Sequence, residues 1–148
     1  MATRARLVMV IAALAIVSAA CSSTESSSSD GAADSIDVIL DSFKFDGASW
    51  EIPAGEQITI KMSNVATIDH EWVILKPGVT ISNEADLPDT EEELLADFVY
   101  WEEEVAGGDT QTFTFTAPPA GEYQVICAIP GHFVAGMKGA LTVVPTEE

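Results

Sequence analysis

Apolar and polar residues alternate along most of the chain after residue 35. Ile36, Val38 and Leu40 start this pattern, and it recurs in segments 58–63, 112–116 and 123–127. Short runs rich in β-branched residues follow at 72–76 and 140–144. Alternation with a period of two predicts strands that turn one face towards a core.

Turn-forming residues separate these segments: Asp46-Gly47, Pro53-Ala54-Gly55, Lys76-Pro77-Gly78, Pro118-Pro119 and Ala120-Gly121. Glycine and proline supply the backbone angles that tight turns need. Several short strands with turns between them predict an all-β sandwich or barrel.

One segment departs from this period. Apolar residues recur at helical spacing between residues 90 and 105, at Leu94, Leu95, Phe98, Trp101 and Val105. Thr90 and Glu93 have the spacing of a capping box, and Gly107-Gly108 would end a helix. The pattern predicts one inserted acidic helix around residues 90–105, packed against the sandwich by its apolar stripe.

The first twenty residues have the layout of a secretory signal. Arg4 and Arg6 precede the apolar run 7–17, and Ser18-Ala19-Ala20 offers small residues for cleavage. The run is short for a permanent membrane span, although an uncleaved anchor is the alternative. We therefore expect residues 1–20 to be a signal peptide and the protein to be exported.

Cys21 follows this segment directly, as in bacterial lipoprotein signals, where a lipid is attached to the cysteine. Ser18 stands where those signals usually have leucine, so cleavage to a soluble secreted form is the alternative. Residues 21–35 are rich in serine and acidic residues and predict a flexible tether. A folded domain would occupy 36–145, with a short tail at 146–148. We expect a lipid-anchored protein at the outer face of the cytoplasmic membrane or in the periplasm.

The part of the chain after residue 20 is strongly acidic. It contains all 24 acidic residues and only four basic ones, which gives a net charge of −20 with neutral histidines. The basic side chains are Lys44, Lys61, Lys76 and Lys138. Such a charge argues against nucleic acid as a partner and favours partners with a basic docking surface. General solubility and adaptation to a salty habitat explain it equally well.

The candidate chemistry lies in one short stretch. Cys127, His132 and Met137 follow each other in the order C-x4-H-x4-M, and His70 is the other of the two histidines. A thiolate, two imidazoles and a weak thioether are the ligands of a blue-copper electron-transfer site. Pro130-Gly131 supplies the turn that would return His132 to the metal. Singly, each residue is as readily a buried core or structural residue, so the inference depends on the set.

Residues 127–139, with Gly121-Glu122-Tyr123 before them, resemble the copper loop of the cupredoxins. The likeness is to azurin, auracyanin, rusticyanin and sulfocyanin more than to plastocyanin. It implies a Greek-key antiparallel β-sandwich that binds one type 1 copper ion. By this resemblance His70, Cys127 and His132 are the equatorial ligands and Met137 is the axial ligand. Zinc is the rival metal, but methionine is a poor ligand for it.

The resemblance is incomplete beside the first histidine. Many cupredoxins have asparagine directly after it, where the side chain ties the ligand loops together, and this chain has Glu71. In azurin a glycine precedes the histidine and offers a fifth, weak ligand, and here the residue is Asp69. The hydrogen bonding around the ligands is therefore left open.

The favoured function is one-electron transfer between a redox donor and acceptor, by a monomer and without catalysis. Residues Phe133, Val134, Ala135 and Gly136 would form a small apolar docking patch beside His132, unless they are ordinary packing. A copper enzyme would need further histidines for a second copper, and none is left. Copper storage or delivery is the alternative function, and a metal-free structural sandwich would leave the Cys/His/Met set unexplained.

Overall fold

The computed structural model describes residues 33–146, which form a two-sheet β-sandwich. One sheet has the order β2-β1-β4-β7 and the other β3-β9-β8-β5-β6. The strands are β1 (Ser35–Asp41), β2 (Lys44–Asp46), β3 (Ser49–Pro53), β4 (Gln57–Asn64), β5 (His70–Leu75), β6 (Val99–Val105), β7 (Thr110–Thr116), β8 (Gly121–Ile126) and β9 (Lys138–Val144). The predicted signal segment, Cys21 and most of the tether lie outside the described residues.

The all-β prediction is confirmed, and alternation along the strands is the reason. In β4, Ile58, Ile60 and Met62 are fully buried, whereas the residues between them are exposed. Most strand pairs are antiparallel, but β1 lies parallel to β4 and β3 lies parallel to β9. The chain passes from one sheet to the other between β2 and β3, which places β3 beside the last strand.

Two groups of buried side chains pack against the sheets. The larger one fills the space between them and includes Trp72, Cys127 and Met137. The smaller one lies on the other side of the five-stranded sheet, where its buried members are Val73, Leu75, Ile81, Val99, Ile126 and Phe133. The connection between β5 and β6 covers this second cluster, so the outer face of that sheet is also packed.

The predicted helix around residues 90–105 is wrong in its extent. Thr90 caps a short helix α1 (Glu91–Glu93) by accepting a hydrogen bond from the Glu93 amide at 3.3 Å, as predicted. A π-helical turn (Leu94–Phe98) follows, and from Val99 the chain is strand β6, paired with β5. The aromatic and β-branched start of β6 suits a strand, and pairing with β5 outweighed a helical spacing that occurs by coincidence. Within residues 33–146, no helix combines the length and apolar character that crossing a membrane requires.

Candidate metal centre

Three of the four predicted ligands converge at one end of the sandwich. His70 is the first residue of β5, Cys127 follows the last residue of β8, and His132 lies in the loop that leads to β9. The two histidine Nδ1 atoms are 3.1 Å apart, and Cys127 Sγ is 3.3 Å from His132 Nδ1. All three side chains are buried, and their ligand atoms lie within 4.8 Å of one another. One ion could contact all three.

Met137 lies in the same loop, and backbone hydrogen bonds hold it close to two of these residues. Its amide donates to the His132 carbonyl at 3.0 Å, and its carbonyl accepts from the Cys127 amide at 3.1 Å. The side chain is fully buried in the same core cluster as Cys127. The loop therefore closes on itself, which brings the fourth predicted residue to this end of the sandwich.

Burial shifts the pKa values of two members of the cluster, His70 and Cys127. The pKa of His70 is lowered by burial and then by His132, so its imidazole stays neutral and can offer a lone pair. Burial raises the pKa of the Cys127 thiol to about 11, against the opposing effect of backbone N–H groups. The thiol must lose its proton when a cation binds. A soft sulfur and two imidazoles, buried and converging, fit a copper ion.

The loop before His70 is fixed by a buried side chain that the sequence pattern did not reveal. The Asn64 amide nitrogen donates to the carbonyls of Ile68 and Val105 at 2.9 and 2.8 Å. Its oxygen accepts from the Ala66 amide at 3.0 Å. A single side chain thus joins the end of β4, the following loop and the end of β6, and sets where β5 begins.

Asp69 and Gly107 fix the same loop from the other side. The Asp69 carboxylate accepts from the Gly107 amide at 3.0 Å. A Cβ at residue 107 would lie 2.5 Å from the backbone carbon of Thr67, so only glycine fits this approach. Asp69, whose role the sequence left open, therefore anchors the approach to His70.

Glu71, which stands where many cupredoxins have asparagine, links the two ligand loops. Its amide donates to Cys127 Sγ at 3.4 Å, and its carboxylate accepts from the Ala128 amide at 3.1 Å. Burial raises the pKa of this carboxyl to about 7, and repulsion from neighbouring glutamates adds to that, while the Ala128 hydrogen bond opposes it. The two ligand loops are tied together here as well, by a carboxylate in place of an amide.

Phe43 is a site neighbour that the sequence did not suggest. It lies at the tip of the β1–β2 hairpin, and its ring meets the His132 ring edge-on at 5.0 Å between centroids. Its φ of 58° is unusual for a bulky residue, and such strain is often found at functional sites. Since 41% of Phe43 is exposed, the ring forms part of the surface beside the histidine pair.

The four residues of the predicted docking patch differ in exposure. Val134 is 74% exposed, and Ala135 and Gly136 are also at the surface. Phe133 is only 3% exposed, because its ring packs into the smaller core cluster. The expectation that Phe133 faces a partner is therefore wrong, and packing is the correct interpretation of this residue.

The sequence matches the family described as copper binding proteins, plastocyanin/azurin family, over residues 32–144. It is 32% identical over 120 residues to Auracyanin-B of Chloroflexus aurantiacus, covering 71% of this chain and 49% of that protein. It is 31% identical over 109 residues to the copper-resistant cuproprotein CopI of Rubrivivax gelatinosus, covering 72% of this chain and 63% of that protein. The chain thus spans between about half and two thirds of these relatives.

The fold is also similar to that of a solved relative. A dithionite-reduced auracyanin from Roseiflexus castenholzii superimposes with a TM-score of 0.63 and 30% identity, covering 78% of this chain and all of that one. The family match, the fold and the set of sulfur and nitrogen ligand atoms all indicate the same family. The chain belongs to the plastocyanin/azurin family of copper-binding proteins, the cupredoxins, and copper is the metal of its site.

Proposed function

We propose that the protein carries single electrons between redox partners, with one type 1 copper ion held by His70, Cys127, His132 and Met137. The observation that supports this most is the buried convergence of one sulfur and two imidazole nitrogens. A bound copper ion would supply exchange of one electron between Cu(II) and Cu(I).

The residues around the site would keep its shape the same in both oxidation states. Asn64 and Asp69 fix the approach to His70, and Glu71 joins that strand to Cys127. Backbone hydrogen bonds between Cys127, His132 and Met137 close the ligand loop. Side chains that cannot move when the charge of the metal changes keep the reorganisation small, which electron transfer needs.

A partner would dock at the surface beside His132. The exposed parts of this surface are Phe43, Val134, Ala135 and Gly136. A small apolar area suits a brief redox encounter, and the net charge of the chain favours partners with basic surroundings. We propose this surface, without Phe133, as the docking patch of a monomeric carrier.

Val134→Asp is expected to slow electron exchange with a redox partner and to leave the copper spectrum unchanged. The substitution places a charge in the apolar patch without touching a ligand. Leu95→Asp is the matched control, since it adds the same charge to another exposed apolar position, on the π-helical turn. Equal rates for Val134→Asp and the unchanged protein would remove the patch from the mechanism.

Met137→Gln is expected to lower the midpoint potential while the protein stays blue and reversibly reducible. An amide oxygen is a harder ligand than a thioether and favours Cu(II). Each tenfold gain in the relative binding of Cu(II) lowers a one-electron potential by about 59 mV. Met62→Gln would bury an amide without a partner and destabilise the core, so it is unsuitable as a control. Met137→Leu, which offers no donor, serves instead. The same potential in both variants would show that residue 137 is no ligand.

Export and anchoring remain proposals supported by the first 35 residues. We propose a cleaved signal peptide at 1–20, a lipid on Cys21 and a tether that ends before Ser35, because the structure places Ser35 in strand β1. These features would hold the domain at the outer face of the cytoplasmic membrane or in the periplasm. Mass spectrometry of the mature N-terminus separates a lipidated Cys21 from a soluble secreted form.

Copper storage or delivery is the alternative function. The similarity to a copper-resistant cuproprotein supports this alternative. A second, catalytic copper has no support, because both histidines of the chain belong to this cluster. A carrier keeps its copper through many redox cycles, whereas a delivery protein transfers it readily to an acceptor. Measuring copper retention over repeated reduction and oxidation distinguishes the two.

A further inference from the structure

The connection between β5 and β6 lies against the loop that contains His132. Phe133 packs into the same cluster as Ile81, with Leu87, Leu94 and Phe98 around it. Gln124 of β8 fastens the connection by two hydrogen bonds to the Ile81 backbone, at 2.7 and 3.0 Å. This connection is therefore fixed to the sheet on one side and to the ligand loop on the other.

Glu84 makes the polar part of that contact. One carboxylate oxygen accepts from the Gly131 amide at 2.6 Å, and the other accepts from the Val134 amide at 3.1 Å. These amides come one residue before and two residues after His132. Hydrogen bonds to an ionised acceptor are shorter and stronger than neutral ones. The carboxylate therefore spans the segment that holds the histidine.

The hydrogen bonds within the loop do not attach the segment around His132 to the rest of the domain. They use the amides of His132, Ala135, Gly136 and Met137, and their acceptors lie in the loop itself. Such bonds fix the shape of the loop but do not attach it to the rest of the domain near His132. Glu84 attaches it, across 47 residues of sequence at Gly131 and 50 at Val134.

We propose that Glu84 is a positioning residue, which holds the His132 imidazole in place for copper by clamping its loop from both sides. The inference rests on the proposed function, because His132 is taken there as a copper ligand. Without the clamp, the packing of Phe133 would remain, but no hydrogen bond from the β5–β6 connection would hold the backbone on either side of His132. The connection between β5 and β6 is then part of the copper site and not only a cover for the sheet.

Amide hydrogen exchange of the metal-free protein tests the clamp directly. In Glu84→Ala, exchange at Gly131 and Val134 should become faster by up to about tenfold, a factor that corresponds to ~1.4 kcal/mol, because both hydrogen bonds are to a charged group but lie at an exposed position where water competes. Glu84→Gln keeps one acceptor oxygen, so one of the two amides should remain protected. Glu92→Ala and Glu92→Gln make the same changes at an exposed position of α1 and should affect neither amide. Unchanged exchange in Glu84→Ala would overturn the proposal.

Copper retention separates positioning from a merely structural contact. With a chelator in excess, copper-loaded Glu84→Ala should lose its colour clearly faster than the Glu92→Ala control, because the loop around His132 opens more often. Faster exchange with unchanged copper release and unchanged potential would make Glu84 a structural contact and overturn its positioning role. If the unaltered protein develops no colour with copper, the proposed function fails, while the exchange data still decide whether the clamp exists.

Discussion

Cys127→Ser is expected to abolish the intense visible absorption of the copper-loaded protein. This absorption arises from a thiolate bonded to copper, and a serine hydroxyl cannot replace the thiolate at neutral pH. Cys127 is fully buried in the core, and serine is slightly smaller and more polar, so the cost to the fold should be about 1–3 kcal/mol for burying a hydroxyl in place of a thiol. The variant should remain folded and bind copper much more weakly. A copper titration followed by absorption measures both effects.

Cys21→Ser is the matched control for this experiment, since Cys21 is the only other cysteine of the chain. It should leave the colour of the domain unchanged. Blue colour retained in Cys127→Ser would contradict the assignment of residue 127 as the sulfur ligand.

Asn64→Leu is expected to lower the free energy of unfolding of the metal-free protein by about 3–5 kcal/mol. Leucine is close in size but leaves the carbonyls of Ile68 and Val105 and the amide of Ala66 without their partner. Each buried polar group left unsatisfied costs about 1–3 kcal/mol, and the Ile68 carbonyl, which is only partly buried, contributes least, so the sum lies in the lower half of the possible range. Urea unfolding measures the loss of free energy. If the free energy of unfolding falls with urea concentration at the same slope in both proteins, the unfolding reaction is the same.

Gln57→Leu supplies the control for Asn64→Leu, because Gln57 is an exposed polar residue at the other end of β4. The Gln57→Leu substitution should change the free energy of unfolding by no more than about 0.5 kcal/mol. The loop between Asn64 and His70 should also loosen in Asn64→Leu, which makes copper release faster. A loss of less than about 1 kcal/mol would show that these three hydrogen bonds do not stabilise the fold.

The strands were predictable because burial in a sandwich follows the period of the sequence. Ile58, Ile60 and Met62 are apolar where β4 faces the core, and that local pattern carries the information. The helical spacing at 90–105 was misleading, since Trp101 and Val105 are spaced for a helix yet belong to strand β6. Pairing with β5 decides their structure, and a partner strand about thirty residues away leaves no mark on local spacing.

The convergence of His70, Cys127 and His132 was predictable for a different reason. Their residue types are rare in this chain, which has two histidines and two cysteines, and their chemistry restricts the choice of metal. The residues that hold this cluster in place could not be predicted from the sequence. Asn64 contacts Val105 across 41 residues, and Glu84 contacts Gly131 across 47. Neither differs in type from ordinary surface residues, so only the fold distinguishes them.

Phe133 shows how the same limit affects a surface prediction. Its position in the copper loop suggested exposure beside His132, but the connection between β5 and β6 covers its ring. Phe43 is the opposite case, since a residue from a distant hairpin contacts the His132 ring. Surfaces depend on which segments meet, and the sequence of one loop does not contain that information.

Titration of the metal-free protein with Cu(II), followed by a redox titration of the product, tests the central claim most directly. We predict intense blue colour that is complete at one copper per chain, disappears on reduction and returns on oxidation in a single one-electron step. A colourless complex, or a colour that does not survive the cycle, would contradict the assignment of this protein as a type 1 copper electron carrier.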